Sequence, residues 1–149
     1  MTELIITRGL PASGKSTWAK AWVAADPKNR VRVNRDDLRM QTYGVYFGEP
    51  IDENVISTLE EAMVRAALKA KKSVVVDATH LRASYVKKWA RIHPVTVQDF
   101  PVRPGTAVAR DALRDEAGER SVGRTVILQM AQRFHIPEDG TLPKLPDLT

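Results

Sequence analysis

Short apolar runs alternate with segments of helical periodicity along the chain. The apolar runs predict strands at positions 4–7, 31–34, 73–77 and 95–100. Between and after them, apolar residues recur mostly every three or four positions, which predicts helices at 16–22, 38–42, 52–68, 83–92, 104–115 and 124–134. From position 137 the chain is rich in proline and predicts an irregular tail. This alternation is typical of an α/β fold with a central parallel sheet.

The first predicted strand and helix are joined by GLPASGKS at positions 9–16, a complete phosphate-binding loop of the form GxxxxGK[ST]. Its two glycines let the backbone approach phosphate oxygens closely. Lys15 is expected to reach the β- and γ-phosphates, and the Ser16 hydroxyl to bind Mg²⁺. The residues expected to contact the donor phosphates here are Gly9, Ala12, Ser13, Gly14, Lys15, Ser16 and Thr17. The loop predicts ATP as phosphoryl donor with Mg²⁺ as cofactor.

Composition narrows the class of protein. The 149 residues suit one domain, and 43% hydrophobic with 28% charged residues is ordinary for a soluble globular protein. There is no apolar run near 18 residues and no secretory signal pattern, so we expect a cytoplasmic protein without a membrane partner. The absence of cysteine excludes disulfides, cysteine-bound zinc and thiol catalysis.

The charge of the chain indicates a polyanionic partner beyond the nucleotide. The net charge is +5 and the isoelectric point is about 9.7. Four arginines fall within positions 30–39 and four within 110–124, and both clusters flank places where phosphates are expected. The alternative is that these are solvated surface charges.

A second motif, NRDDLR at positions 34–39, lies at the carboxyl end of the second predicted strand. That end of a parallel sheet faces the ligand crevice. A kinase needs a proton acceptor for the attacking hydroxyl and a cation near the phosphates. Asp36 and Arg39 lie three residues apart, on one side of a helical turn. The alternative is a helix cap formed by Asp36 or Asp37, together with an Asp–Arg pair.

Two further features leave alternatives open. Asp77 ends the most apolar strand beside the phosphate-binding loop, so it could hold Mg²⁺ through water or simply cap the strand end. The aromatic residues Tyr43, Tyr46 and Phe47 could stack on acceptor bases or could pin their loop to the core.

GLPASGKSTWA at 9–19, followed by NRDDLR at 34–39, closely resembles the 5′-kinase domain of phage polynucleotide kinases. DATHL at 77–81 resembles that family's third-strand motif of the D-x-T-N type, with His80 in place of asparagine. The resemblance extends from Leu4 to about Pro137. It implies a three-layer P-loop NTPase fold of the nucleotide-kinase-like type, with helices flanking the sheet and an arginine-bearing lid.

The resemblance also implies a reaction: transfer of the γ-phosphoryl group of ATP to the 5′-hydroxyl end of DNA or RNA. Asp36 matches the general base and Arg39 the arginine that holds an acceptor phosphate. The string at 110–114 matches the family's R-x-x-x-R, whose second arginine, Arg114, clamps the donor phosphates. The lid is longer here, so Arg120 or Arg124 could take that role. The remaining implied contacts are Arg35 and Thr79 to the acceptor, and Arg110 and Arg120 to the donor phosphates.

The same resemblance implies a role in nucleic-acid end repair, beside a ligase. If the source is a phage, the protein is expected in the cytoplasm of the host. One kinase domain over 1–149 is expected, without a phosphatase domain, because the string at 139–141 predicts a turn rather than a nucleophile motif. The competing hypotheses are a kinase of the same fold for a small hydroxylated molecule and a nucleotide-dependent binding module. The choice between DNA and RNA and the oligomeric state stay open.

Overall fold

The computed structural model describes residues 2–148. Its elements, in chain order, are β1 (Leu4–Arg8), α1 (Lys15–Ala25), β2 (Arg30–Asn34), α2 (Arg35–Tyr43), α3 (Glu53–Lys69), β3 (Ser73–Asp77), α4 (Ala83–Ile92), β4 (Val95–Asp99), α5 (Pro104–Glu116) and α6 (Arg124–Arg133). From 137 to 148 the chain forms no helix or strand, as the proline-rich pattern predicts. No helix of the described residues is both long enough and apolar enough to cross a membrane.

The four strands form one parallel sheet in the order β2-β3-β1-β4. Ile6 of β1 lies opposite Val76 of β3 on one side and Val97 of β4 on the other. All of β1 is buried, and in β3 the run Val74–Val76 is fully buried. Parallel strands need crossover connections, and these place helices over the sheet.

Side-chain alternation along the strands divides the core into layers. Leu4 and Ile6 point to the face covered by α3 and α4, where Ile56 and Trp89 are buried. Ile5, between them, points to the opposite face and packs against α1. The helices α5 and α6 share a separate apolar cluster with the loops that follow β1 and β3. The expected α/β fold, with a parallel sheet between helical layers, is confirmed.

Helix α2 begins earlier than the sequence predicts, and its cap is a different residue. The N-cap is Asn34, whose side-chain oxygen accepts a hydrogen bond from the Asp37 backbone N–H at 2.9 Å. The expectation that Asp36 or Asp37 caps this helix is therefore wrong, because both lie inside its first turn. Asparagine at the last position of β2 satisfies the free N–H group, so the helix follows the strand without a loop.

Candidate active site

The phosphate-binding loop joins β1 to α1, and two close approaches fix its shape. A Cβ on Gly9 would lie 2.7 Å from the carbonyl oxygen of Phe100, so only glycine fits there without displacement. Gly14, the N-cap of α1, has a φ of +98°, a conformation that side chains rarely adopt. The loop thus leads directly into the amino terminus of α1. A glycine-rich loop followed by a helix amino terminus is an arrangement that binds anions.

Lys15 is buried within this loop. Its Nζ donates hydrogen bonds to the carbonyl oxygens of Gly9, at 3.0 Å, and Leu10, and to Ser13 Oγ at 3.2 Å. Burial lowers the pKa of Lys15 from 10.5 to about 8, although the nearby carboxylate of Asp77 acts in the opposite direction. The loop therefore holds a desolvated cation, which an anionic phosphate would stabilise.

Asp77 lies at the end of β3, against the start of α1. Ser16 Oγ donates to Asp77 Oδ2 at 2.8 Å, and Arg32 Nε donates to the same oxygen at 2.9 Å. Only 1% of Asp77 is exposed. A hydroxyl and a carboxylate side by side are hard oxygen ligands, and Mg²⁺ in proteins is commonly bound by one or two such groups together with substrate phosphates. Ser16 and Asp77 fit an ion held against the donor phosphates.

Asp36 and Arg39 lie where β2 gives way to α2, and they pair with each other. Arg39 Nη1 lies 2.6 Å from Asp36 Oδ1. The other carboxylate oxygen of Asp36, Oδ2, lies 2.7 Å from Arg120 Nη1 of the segment between α5 and α6. The intrahelical Asp–Arg pair predicted as an alternative is thus present. A second arginine, supplied from the distant lid, contacts the same carboxylate.

Arg35 and Arg39 are both tied to α3 by carboxylates. Glu53 binds the Arg39 guanidinium with both oxygens, at 2.9 and 3.0 Å from Nε, and this pairing lowers the pKa of Glu53. Arg35 Nη1 donates to Ser57 Oγ at 3.0 Å and to Glu60 Oε1 at 3.1 Å. Burial raises the pKa of Glu60 despite the neighbouring Arg35. This network holds two arginines in fixed orientations beside Asp36.

The lid connects α5 to α6 through residues 117–123. Buried Asp111 of α5 accepts hydrogen bonds from the backbone N–H groups of Val122, at 3.0 Å, and Gly123, at 2.9 Å. Arg114 and Arg120 project from this region toward the phosphate-binding loop. Exposed Arg110 donates to the Ala12 carbonyl at 3.4 Å and lines a shallow neighbouring cleft with Thr17. Arg124 is exposed at the start of α6.

One cavity of about 250 Å³ unites most of these groups. The residues predicted for the site that line it are Ala12, Ser13, Gly14, Lys15, Ser16, Arg35, Asp36, Arg39, Asp77, Thr79, Arg114 and Arg120. Gly9, Thr17, Arg110 and Arg124 lie outside its lining. Phe47 also lines it and is 48% exposed, whereas Tyr43 packs against the core. Pinning to the core thus holds for Tyr43, and base stacking stays a prediction for Phe47.

His80, which stands where the resembled motif has asparagine, directly follows Thr79 of the cavity lining. It is buried, and its Nδ1 lies 2.6 Å from the Thr7 carbonyl oxygen, so Nδ1 carries the proton and donates it. Its Nε2 accepts a hydrogen bond from Trp89 Nε1 at 3.1 Å. Burial lowers the pKa of His80 to about 4, so the ring is neutral at pH 7. His80 links β1 to α4, adjacent to Thr79.

A family model described as AAA domain matches residues 4–137. The chain belongs to the AAA domain family. Among solved structures, this AAA domain is similar to a chain of the Pnkp1/Rnl/Hen1 RNA repair complex, with 27% identity and a TM-score of 0.75, over 98% of this chain and 50% of that one. A second structure of the Pnkp1/Rnl/Hen1 complex matches at 32% identity and a TM-score of 0.66, over 73% of this chain and 38% of that one. This AAA domain thus spans about half the length of the first relative and 38% of the length of the second.

A gluconokinase from Sinorhizobium meliloti 1021 is similar in fold, with 17% identity and a TM-score of 0.57, over 87% of this chain and 73% of that one. At this identity the likeness concerns the fold alone. Together with the family match, this similarity indicates that the AAA domain has the fold of a P-loop kinase. Such a fold implies binding of ATP and usually of Mg²⁺.

The sequence analysis did not identify two residues of the site, Arg32 and Glu53. Arg32 contacts Asp77 and also Asp37, through Nη1 to Oδ2 at 2.6 Å. It lies two positions before Asn34 on β2, so the strand period of two places both on one face and could have identified it. Glu53 carries no comparable signal, because its role depends on where α3 lies against α2.

Proposed function

We propose that this chain is a polynucleotide 5′-hydroxyl kinase that uses ATP to phosphorylate DNA or RNA ends during nucleic-acid repair. The observation that carries the proposal is that Lys15, Arg114, Asp36 and Arg39 line one cavity. A donor-phosphate site and a paired base and cation therefore lie within reach of one transferring group. The motif resemblance to the 5′-kinase domain of phage polynucleotide kinases supports the choice of acceptor.

In the proposed reaction the acceptor 5′-oxygen forms a bond to the γ-phosphorus of ATP, while the bond from that phosphorus to the β–γ bridging oxygen breaks. Asp36 accepts the proton of the 5′-hydroxyl, and ADP leaves. Lys15 and Arg114 stabilise the charge on the transferring group, and Arg39 orients the acceptor through its phosphate. When bound at Ser16 and near Asp77, Mg²⁺ supplies further neutralisation of donor-phosphate charge.

The lid contact adds one condition to this scheme. Because Arg120 lies 2.7 Å from Asp36, the carboxylate is engaged on both oxygens before any acceptor arrives. Donor phosphates offer Arg120 a stronger anionic partner than a single carboxylate. We therefore infer that ATP binding draws Arg120 away and frees Asp36 for the hydroxyl proton.

The direct test incubates the protein with Mg²⁺, γ-labelled ATP and 5′-hydroxyl DNA and RNA oligonucleotides, with matching 5′-phosphorylated strands as controls. Label on the 5′-hydroxyl strands alone is expected, and the DNA-to-RNA ratio gives the substrate preference. Asp36→Asn should lower kcat by roughly 10²- to 10⁴-fold while leaving ATP binding intact. Asp37→Asn is the matched control, since Asp37 is exposed and, among residues 2–148, its side chain forms an ion pair with Arg32 alone.

The outcomes separate the competing hypotheses. ATP binding without label on any strand would favour a kinase for a small hydroxylated molecule, whose apparent affinity would not fall steeply with salt as a polynucleotide's does. Slow ATP hydrolysis that is insensitive to Asp36→Asn would favour a binding module. The similarity to a chain from an RNA repair complex supports a further proposal, that the enzyme acts beside a nucleic-acid ligase.

A further inference from the structure

A second cavity, of about 480 Å³, adjoins the first and extends between α3 and α4. Arg35, Arg39 and Thr79 line both cavities, so the two meet at the arginine network beside Asp36. The far wall of the second cavity is formed by Tyr85 and Lys88 of α4. We call this cavity the α4 groove. The groove begins at Arg39, which is proposed to hold the acceptor phosphate, and it leads away from the phosphate-binding loop.

The α4 wall carries an exposed ring beside a cation. Tyr85 is 51% exposed although it is a large aromatic residue, and Lys88 follows it three positions later on the same side of the helix. Lys88 Nζ lies 5.0 Å from the centre of the Trp89 ring, and among residues 2–148 it has no carboxylate within ion-pair distance. The sequence of α4, from 83 to 92, contains no acidic residue.

The α3 wall contributes two carboxylates, and both are already engaged. Glu53 pairs with Arg39 and Arg35, and Glu60 pairs with Arg35. The three cations of the groove, Arg35, Arg39 and Lys88, thus outnumber the two carboxylates. A basic groove with an exposed aromatic ring is the combination that binds single-stranded nucleic acid, through backbone phosphates and stacked bases.

We propose that the α4 groove binds the nucleotides that follow the 5′-terminal one in the acceptor strand, with Lys88 on a backbone phosphate and Tyr85 stacked on a base. The inference rests on the proposed kinase function and deepens it. With the 5′-hydroxyl at Asp36 and the first phosphate at Arg39, the next place along the lining is the α4 groove. Acceptors longer than one nucleotide therefore gain contacts that a single nucleotide lacks.

The test compares a nucleoside 3′-monophosphate with 5′-hydroxyl oligonucleotides of two, four and ten residues. With the oligonucleotides, Tyr85→Ala is expected to raise the acceptor KM roughly 5- to 100-fold, as loss of one stacked base does, with kcat unchanged. Lys88→Gln should raise KM and reduce the slope of log affinity against log salt by about one. Neither variant should alter KM for the monophosphate.

Two controls accompany these variants. Lys87→Gln removes an exposed charge that is adjacent on α4 but outside the groove lining, and it should leave every KM within about twofold. Tyr85→Phe keeps the ring and should restore oligonucleotide KM. Equal KM changes for the monophosphate and the oligonucleotides, or no change with either variant, would overturn the groove proposal.

A binding measurement distinguishes failure of the groove from failure of the kinase function. Fluorescence anisotropy with a labelled 5′-hydroxyl ten-mer should show weaker binding for Tyr85→Ala and Lys88→Gln, independent of turnover. If these variants weaken binding while the unaltered protein phosphorylates no 5′-hydroxyl strand, the groove stands and the kinase proposal fails. If transfer occurs and the variants bind as well as the unaltered protein, the groove proposal alone fails.

Discussion

The burial of Lys15 in the phosphate-binding loop is expected to reduce the stability of the fold. Its ammonium is buried and its pKa is lowered from 10.5 to about 8. The folded chain therefore binds this proton less tightly than the unfolded chain does, and below pH 8 the protonated side chain opposes folding. This lowering of the pKa corresponds to roughly 3 kcal/mol at pH 7. Lys15→Met, which keeps most of the side-chain volume, is expected to raise the free energy of unfolding by about 2–3 kcal/mol.

The sign of the pH dependence follows from the same linkage. Between pH 8 and 10.5 the unfolded state holds more of this proton, so the stability of the unaltered protein rises with pH toward that of Lys15→Met. The stability difference between the two proteins should shrink from about 3 kcal/mol at pH 7 to about 1.4 kcal/mol at pH 9.5. Urea unfolding at both pH values measures it, and Lys20→Met, an exposed position on α1, is the matched control with a change below about 0.5 kcal/mol.

Adding ATP should reverse the order of stability of Lys15→Met and the unaltered protein. Under the proposed function ATP binds the folded chain only, so it should stabilise the unaltered protein by mass action, and much less so Lys15→Met. Two results would refute the reasoning: a Lys15→Met variant less stable than the unaltered protein at pH 7 without nucleotide, or a difference that stays constant from pH 7 to 9.5. Either would mean that the three hydrogen bonds of the ammonium outweigh its burial.

Three further predictions test other parts of the site. Asp77→Asn leaves the Arg32 guanidinium without its buried partner, so it should destabilise the fold by about 3 kcal/mol, measured by urea unfolding. The same variant should abolish Mg²⁺-dependent transfer. Unchanged stability would contradict the first expectation. A double-mutant cycle on Asp36→Asn and Arg120→Gln should give a coupling of about 1 kcal/mol in the free energy of unfolding, whereas additive effects would show that the lid contact does not form in solution. Because His80 has a pKa of about 4 in the fold against 6.5 unfolded, stability should fall by about 3 kcal/mol as pH drops from 6.5 to 4, and His80→Gln should flatten that part of the profile.

Most of the fold was predictable because its signals are local. The β-branched run of β3 and the spacing of apolar residues along α3 each lie within a single element. Parallel order follows from the alternation of strands and helices. The phosphate-binding loop was predictable for the same reason, since one continuous string carries its glycines, Lys15 and Ser16.

The parts that escaped prediction depend on contacts between distant segments. The sequence analysis considered Asp36 and Asp37 as caps of α2, whereas the cap is Asn34, because α2 begins directly after β2. The pairing of Asp36 with Arg120 joins α2 to the lid, and no local pattern encodes a contact between segments so far apart in the sequence. The clamp hypothesis accordingly left Arg114, Arg120 and Arg124 open, and the structure places the first two in the cavity lining.

The hydrogen bonds from the backbone of Val122 and Gly123 to Asp111 affect how the length of the lid can vary. By holding the N–H groups of Val122 and Gly123, the carboxylate fixes where the chain re-enters α6, whatever path it takes before that point. Residues 117–121 thus form an arm anchored at both ends, and a residue added or removed there changes the reach of Arg120 without moving α5 or α6. We therefore expect that changes in lid length can alter the contact between Arg120 and Asp36 while α5 and α6 keep their positions.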